Sequence, residues 1–101
     1  MEFAGFDWDD GNIQKCRKHG LSVDQIEDFF RAQIWVTPDP EHSRAEDRFL
    51  AVGRGPTGRP IFVAVTLRKI EGQLLIRPIS ARFMHAREVR KYEEAFGENE
   101  E

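Results

Sequence analysis

The run Pro60-Ile61-Phe62-Val63-Ala64-Val65-Thr66-Leu67-Arg68 constrains the fold of this chain more than any other segment. Its apolar side chains occupy both alternating sets of positions, so a strand made from it belongs at the centre of a sheet, covered on each side. Gly55-Pro56-Thr57-Gly58 makes a turn before it and Glu71-Gly72 makes one after it. Beyond those turns, Arg48-Phe49-Leu50-Ala51-Val52-Gly53 and the stretch Gln73 to Arg82 read as its antiparallel neighbours. Pro78 has no amide hydrogen to give to a ladder, which predicts an edge or a bulge in the last run.

The rest of the sequence supplies helices and one further strand. Phe3-Ala4-Gly5-Phe6-Asp7-Trp8 reads as a short strand or extended arm, and Asp9 is an N-cap for a helix over 10–18 that stops at Gly20. Ser22-Val23-Asp24-Gln25 has capping-box spacing, and Val23, Ile26, Phe29 and Phe30 form an apolar stripe, so a second helix packs on the core. Ile34-Trp35-Val36 predicts a strand closed by Pro38 and Pro40, and Asp39 to Asp47 is a polar loop, the segment expected to move most. A last helix over 84–96 places His85, Val89, Tyr92 and Phe96 on one face and Arg87, Arg90, Lys91 and Glu94 outward. With 101 residues and 40% apolar content, one core is expected. The predicted fold is α+β: two N-terminal helices, an antiparallel β-sheet meander and a C-terminal helix, in a single domain over residues 1–101 with a frayed acidic tail at 97–101.

Charge is segregated along the chain. Residues 48–92 hold ten Lys or Arg against two acids, Glu71 and Glu88, whereas residues 1–47 hold five basic and eleven acidic side chains and residues 93–101 add five Glu. A formal charge of −3 therefore hides a basic block. Clustered guanidinium groups suit a polyanion, because each neutralised phosphate releases a counterion and arginine grips phosphate bidentately. Nucleic acid is the expected partner. The lone Cys16 excludes an internal disulfide and reads as an inert buried thiol, while His19, His42 and His85 are too scattered for a zinc site, so no metal or other cofactor is expected. Apolar runs are too short to span a bilayer and Met1-Glu2-Phe3 lacks the basic start of a signal peptide, which points to a reducing cytoplasm.

Several ordered blocks carry a family resemblance: Phe6-Asp7-Trp8-Asp9, Arg17-Lys18-His19-Gly20-Leu21-Ser22, Gly58-Arg59-Pro60-Ile61-Phe62-Val63, and Ile79-Ser80-Ala81-Arg82 followed by Arg87-Glu88 and Tyr92. From about Phe3 to Tyr92 the chain resembles the BrnT family of type II toxins. The resemblance implies a RelE-like fold, ribonuclease activity that inhibits translation, and neutralisation by a BrnA-like antitoxin whose ribbon-helix-helix binds operator DNA. The chain departs from the pattern at Arg77-Pro78 and at Phe83-Met84-His85, where more basic residues are expected; altered RNA contacts or weakened catalysis would follow.

RNA can be cut without a metal because its 2′-hydroxyl is an internal nucleophile, leaving the protein to supply a proton acceptor, a proton donor and cations for the developing charge. His19 is the acid/base candidate, since imidazole ordinarily titrates between pH 5 and 8; the bland alternative is a histidine interacting with the helix C-terminus. Arg68 and Arg82 end adjacent strands, where a guanidinium reaches phosphate from a fixed base. Their bland alternative is a pair of ion pairs, with Glu46 or Glu88. Lys18, Arg48 and Arg77 are further RNA-contact candidates, and Arg54 and Arg59 read as solvated loop charges. His85 is a reserve acid/base, more simply a packed or capping residue. Glu88 can orient an arginine; Tyr92 packs in the core or stacks on a base. Trp8 and Trp35 read as packing anchors.

Three functions are compatible with these residues. The first is a metal-independent endoribonuclease using His19, Arg68 and Arg82 and leaving 2′,3′-cyclic phosphate and 5′-hydroxyl ends. The second is a module that binds RNA on the same basic face without cutting it. The third is a toxin-derived partner subunit whose basic face receives an antitoxin and regulates transcription through it.

Overall fold

The computed structural model describes residues 3–43 and 45–96, so the expected acidic tail at 97–101 lies outside the described residues. The chain runs as β1 (Gly5–Phe6), α1 (Asp10–Arg17), α2 (Val23–Arg31), β2 (Trp35–Pro38), β3 (Arg48–Arg54), β4 (Pro60–Ile70), β5 (Gln73–Phe83) and α3 (Ala86–Phe96), with short 3-10 turns at Pro40–His42 and Pro56–Gly58. The class is α+β, as expected. The sheet is mixed rather than a pure meander. Its order is β1-β5-β4-β3-β2, and β1 lies parallel to β5 while all other pairs are antiparallel. A two-residue strand carries no alternation from which its partner could be read.

The hairpin of β4 and β5 turns on Glu71 and Gly72, with φ of 51° and 81°, between the paired residues Ile70 and Gln73. Positive φ at both central positions is the turn whose twist matches that of the flanking strands. At Pro78 the ladder slips: Ala64 faces Ser80 and Val65 faces Pro78, so Ile79 is an extra residue, the bulge that proline predicts.

Alternation then sorts the sheet into two faces. Ala51, Ile61, Val63, Val65, Ile76 and Ala81 join Cys16 and Leu21 and the α2 residues Ile26, Phe29 and Phe30 in one buried cluster. Both helices start with capping boxes, Asp9 with Asn12 and Ser22 with Gln25. Asn12 is buried and does more than cap. Its side-chain amide donates to the carbonyls of Asp7 and Pro78, at 2.9 and 2.8 Å, which ties α1 to β5. Burial pushes the Cys16 thiol up to about 11, as befits an inert core sulfur.

A helix covers the opposite face at one end. There α3 lays Tyr92 and Phe96 against Trp35 of β2, with Trp35 and Phe96 stacked at 4.1 Å. Farther along β4 on this face Thr66 is buried beside the 41–46 segment, and only the middle of the face, around Ala64 and Ser80, is left open, so the expectation that the central strand is covered on each side holds for one face and for most of the other. Acidic and basic segments meet within the chain: Arg77 pairs with Asp7 and Asp9, Arg68 with Glu46, and Arg54 with Glu93.

Candidate active site

Register across the three long strands defines rows on the open face. Val52, Phe62 and Arg82 make one row, Leu50, Ala64 and Ser80 the next, and Arg48, Thr66 and Arg77 a third. The small side chains of Ala64 and Ser80 in the middle row leave a groove of about 300 Å³ lined by Leu50, Phe62, Ala64, Ser80, Arg82, Glu88 and His19. Because β1 covers only Leu75 and Ile76 of β5, the later part of β5 is free for α1, and the exposed His19 just past that helix stands on the groove's rim.

Arg82 is held on three sides. Its Nη1 and Nη2 donate to the two carboxylate oxygens of Glu88, both at 2.9 Å, and Nη1 also donates to the carbonyl of Phe83 at 3.1 Å. Its guanidinium lies 4.8 Å from the ring centre of Phe62. Of the five N–H groups of an arginine, three are used among the described residues, and the two left are Nε–H and one on Nη2. They form a second parallel fork suited to two phosphate oxygens. Glu88 sits in the first turn of α3, where it also accepts the backbone N–H of His85 at 2.8 Å. The Arg82 pair and that N–H hold its carboxyl at about 2, so it is ionised at neutral pH and serves to orient Arg82. The pairing raises Arg82 correspondingly.

The other expected site residues fall elsewhere. Arg68 is on β4 as expected, but it faces Leu75 while Arg82 faces Phe62; six residues of strand place the two about 20 Å apart. The fold therefore does not bring Arg68 and Arg82 together, because adjacent strands of a hairpin run in opposite directions. Arg68 instead meets Glu46 at 3.1 Å. Arg77 is gripped by Asp9 at 2.8 Å and Asp7 at 3.5 Å, with its side chain only 18% exposed, which makes it a brace for the N-terminal arm. Tyr92 is 5% exposed and packs edge-on to Trp35, so the expected stacking on a base is not open to it. His85 does not lie on the apolar stripe: it precedes α3 with its side chain 79% exposed. Lys18 is exposed at the end of α1. Arg54 and Arg59, expected as solvated charges, lie against the rings of Tyr92 and Phe83.

Of the groove residues that carried no assigned role in the sequence, Ser80 and Phe62 stand nearest Arg82. Ser80 precedes Arg82 by two positions on one strand, which puts both on one face, and Phe62 is the cross-strand partner of Arg82. The first signal was legible; the second needed the register.

An α+β fold presenting an oriented guanidinium, an imidazole and a hydroxyl around an open groove on a sheet face has the equipment of a protein that handles a polyanion. A family model described as "Ribonuclease toxin, BrnT, of type II toxin-antitoxin system" matches residues 8–88, and the chain belongs to that family. Membership gives it a cognate antitoxin as partner. A search of curated proteins finds no match. Among the described residues no helix is long and apolar enough to cross a membrane.

Proposed function

We propose that this toxin is a metal-independent endoribonuclease that cuts RNA by attack of the 2′-hydroxyl on the adjacent phosphate, and that message cleavage is how it inhibits translation. The observation that carries this reading is the placement of His19 and Arg82 on one groove. His19 takes the 2′-hydroxyl proton as the 2′-oxygen bonds to phosphorus. The bond from phosphorus to the 5′-oxygen then breaks, and the departing oxygen takes a proton from the imidazolium or from water. Arg82 offers its Nε and Nη2 edge to the non-bridging oxygens, whose charge grows in the transition state, and Glu88 holds that edge in place beforehand. Ser80, on the groove floor, is a donor to the ribose or phosphate. Arg68 lies too far along the hairpin to share this step and is a contact for a distant part of the strand. A BrnA-like ribbon-helix-helix antitoxin, and operator DNA through it, are the proposed partners beyond RNA.

The Arg82–Glu88 pair also supports a second reading, a module that binds RNA without cutting, because a bidentate pair is a complete structural unit by itself. Incubating long RNA, free and ribosome-bound, with wild type and Arg82→Ala in excess EDTA, followed by end-group analysis, separates the two. Cyclic-phosphate and 5′-hydroxyl ends that vanish in the variant are the expected result. Intact RNA in the presence of a folded, RNA-binding wild type would favour the second reading.

A further inference from the structure

The third row of this face holds two buried polar atoms, Arg48 Nε and Thr66 Oγ1, that no protein group among the described residues satisfies. They are cross-strand neighbours, and Thr66 is only 1% exposed. Both residues line a hollow of about 520 Å³ whose other walls are Glu41, His42, Ala45 and Glu46. The wall is braced: Ser43 Oγ donates to the carbonyl of Asp39 at 2.7 Å and accepts the backbone N–H of Arg48 at 2.9 Å, while His42 Nδ1 meets the Asp39 carboxylate at 3.0 Å. Arg48 has no side-chain hydrogen bond or ion pair among the described residues. Buried polar atoms are nearly always paired in folded proteins, so an orphaned pair side by side marks a place where an outside group is to be received.

Donors alone would suit phosphate, yet this hollow has carboxylates opposite its donors. Glu46 is partly satisfied by Arg68 at 3.1 Å, and Glu41 is exposed at the rim. An anion would meet repulsion there. A group with hydrogen-bond acceptors on one edge and N–H donors on the next fits both walls. Guanine is the nucleobase with that layout: O6 and N7 accept, the usual target of arginine, and the neighbouring N1–H and N2–H donate to a carboxylate. Unpaired RNA bases are read on these edges.

The geometry points to a guanine-recognition pocket at Arg48 and Thr66, on the same face as the groove and about 13 Å along β4 from the row that holds Arg82. It rests on the reading of the groove as an RNA site and adds base preference at a position a few nucleotides from the reacting phosphate. Arg48 and Thr66 supply donors to the Hoogsteen edge, and Glu41 or Glu46 accepts from the Watson–Crick edge.

Binding to short 2′-deoxy strands, which cannot be cut, tests this apart from cleavage. Wild type is expected to bind a strand with one guanine among cytosines on the order of tenfold more tightly than matched strands with adenine, thymine or cytosine there. Thr66→Val, which removes only the orphaned hydroxyl, and Arg48→Gln should erase that preference while the all-cytosine strand binds Thr66→Val as it binds wild type. Equal binding of all strands by wild type, or a guanine preference that survives Thr66→Val, overturns the pocket. A uniform loss on every strand in Arg48→Gln without any base preference assigns Arg48 to phosphate and also overturns it. Base preference without RNA cutting would sink the proposed catalysis and leave the pocket standing; cutting without base preference would do the reverse.

Discussion

Arg82 shows how much one residue's neighbours decide. With Glu88 on one edge and Phe83 on another, its remaining fork has one direction to point. Arg82→Lys keeps the charge and loses the fork, so RNA binding should persist while cleavage falls by roughly a hundredfold or more; parallel binding and cleavage measurements check this, and equal cleavage by the two proteins removes Arg82 from the site. For His19, replacement by Gln should flatten the acid limb of the pH-rate profile. An unchanged limb would send the base role to another group. Both residues were legible in the sequence as candidates, His19 as an imidazole beside Lys18 and Arg82 at the end of an apolar run. The bland alternative named for Arg82, a pair with Glu88, is also present, and the two readings merge because the pair is what aims the arginine. Arg68 was read from the same strand-end logic and lies elsewhere, since position in a strand does not say which end of a hairpin it occupies.

Elements were legible where local chemistry repeats. The Asp9 cap, the Ser22 capping box, the Glu71-Gly72 turn and the edge-or-bulge mark of Pro78 all follow from residue types at fixed offsets, whereas the parallel seat of β1 on β5 depends on contacts some seventy positions apart and has no local mark. Asn12 helps to hold that region, donating to the carbonyl of Asp7 just past β1 and to that of Pro78 on β5. Asn12→Ala should lower stability by about 2 kcal/mol, because the buried carbonyl of Pro78 loses its donor, as urea unfolding would read. Gly53 allows close approach: a Cβ there would stand 2.9 Å from Ile34 Cγ2 and 3.1 Å from Phe29 Cε1, so Gly53→Ala should cost about 1–3 kcal/mol by overpacking. At the start of α3, Glu88 has a folded value near 2 against an ordinary 4.5. A depressed carboxyl stabilises the fold above its unfolded value and loses that contribution as pH falls from about 4.5 through about 2. Acid titration of stability should therefore show a step in that window that Glu88→Gln lacks. That variant should also cut RNA more slowly while binding it at least as well.

At the scale of the molecule, the ten basic side chains of the 48–92 block do not act as one field. Arg54, Arg68, Arg77 and Arg82 are paired with Glu93, Glu46, Asp7 with Asp9, and Glu88. At about 0.7 counterions per phosphate for a single strand, neutralising the six others should make the slope of log affinity against log salt shallower by no more than about 4. Composition revealed the charge block but not its pairing, because pairing is a property of the assembled sheet. The tie from Asn12 to Pro78 and the seat of β1 on β5 also set an order in time. A ribosome delivers this chain N-terminus first, so α1 and His19 emerge long before the strand they rest on. Until β5 has left the exit tunnel, the rim histidine has no groove to stand on. A half-made copy is thus a set of parts, and the message that the finished protein is proposed to cut is spared while it is being read.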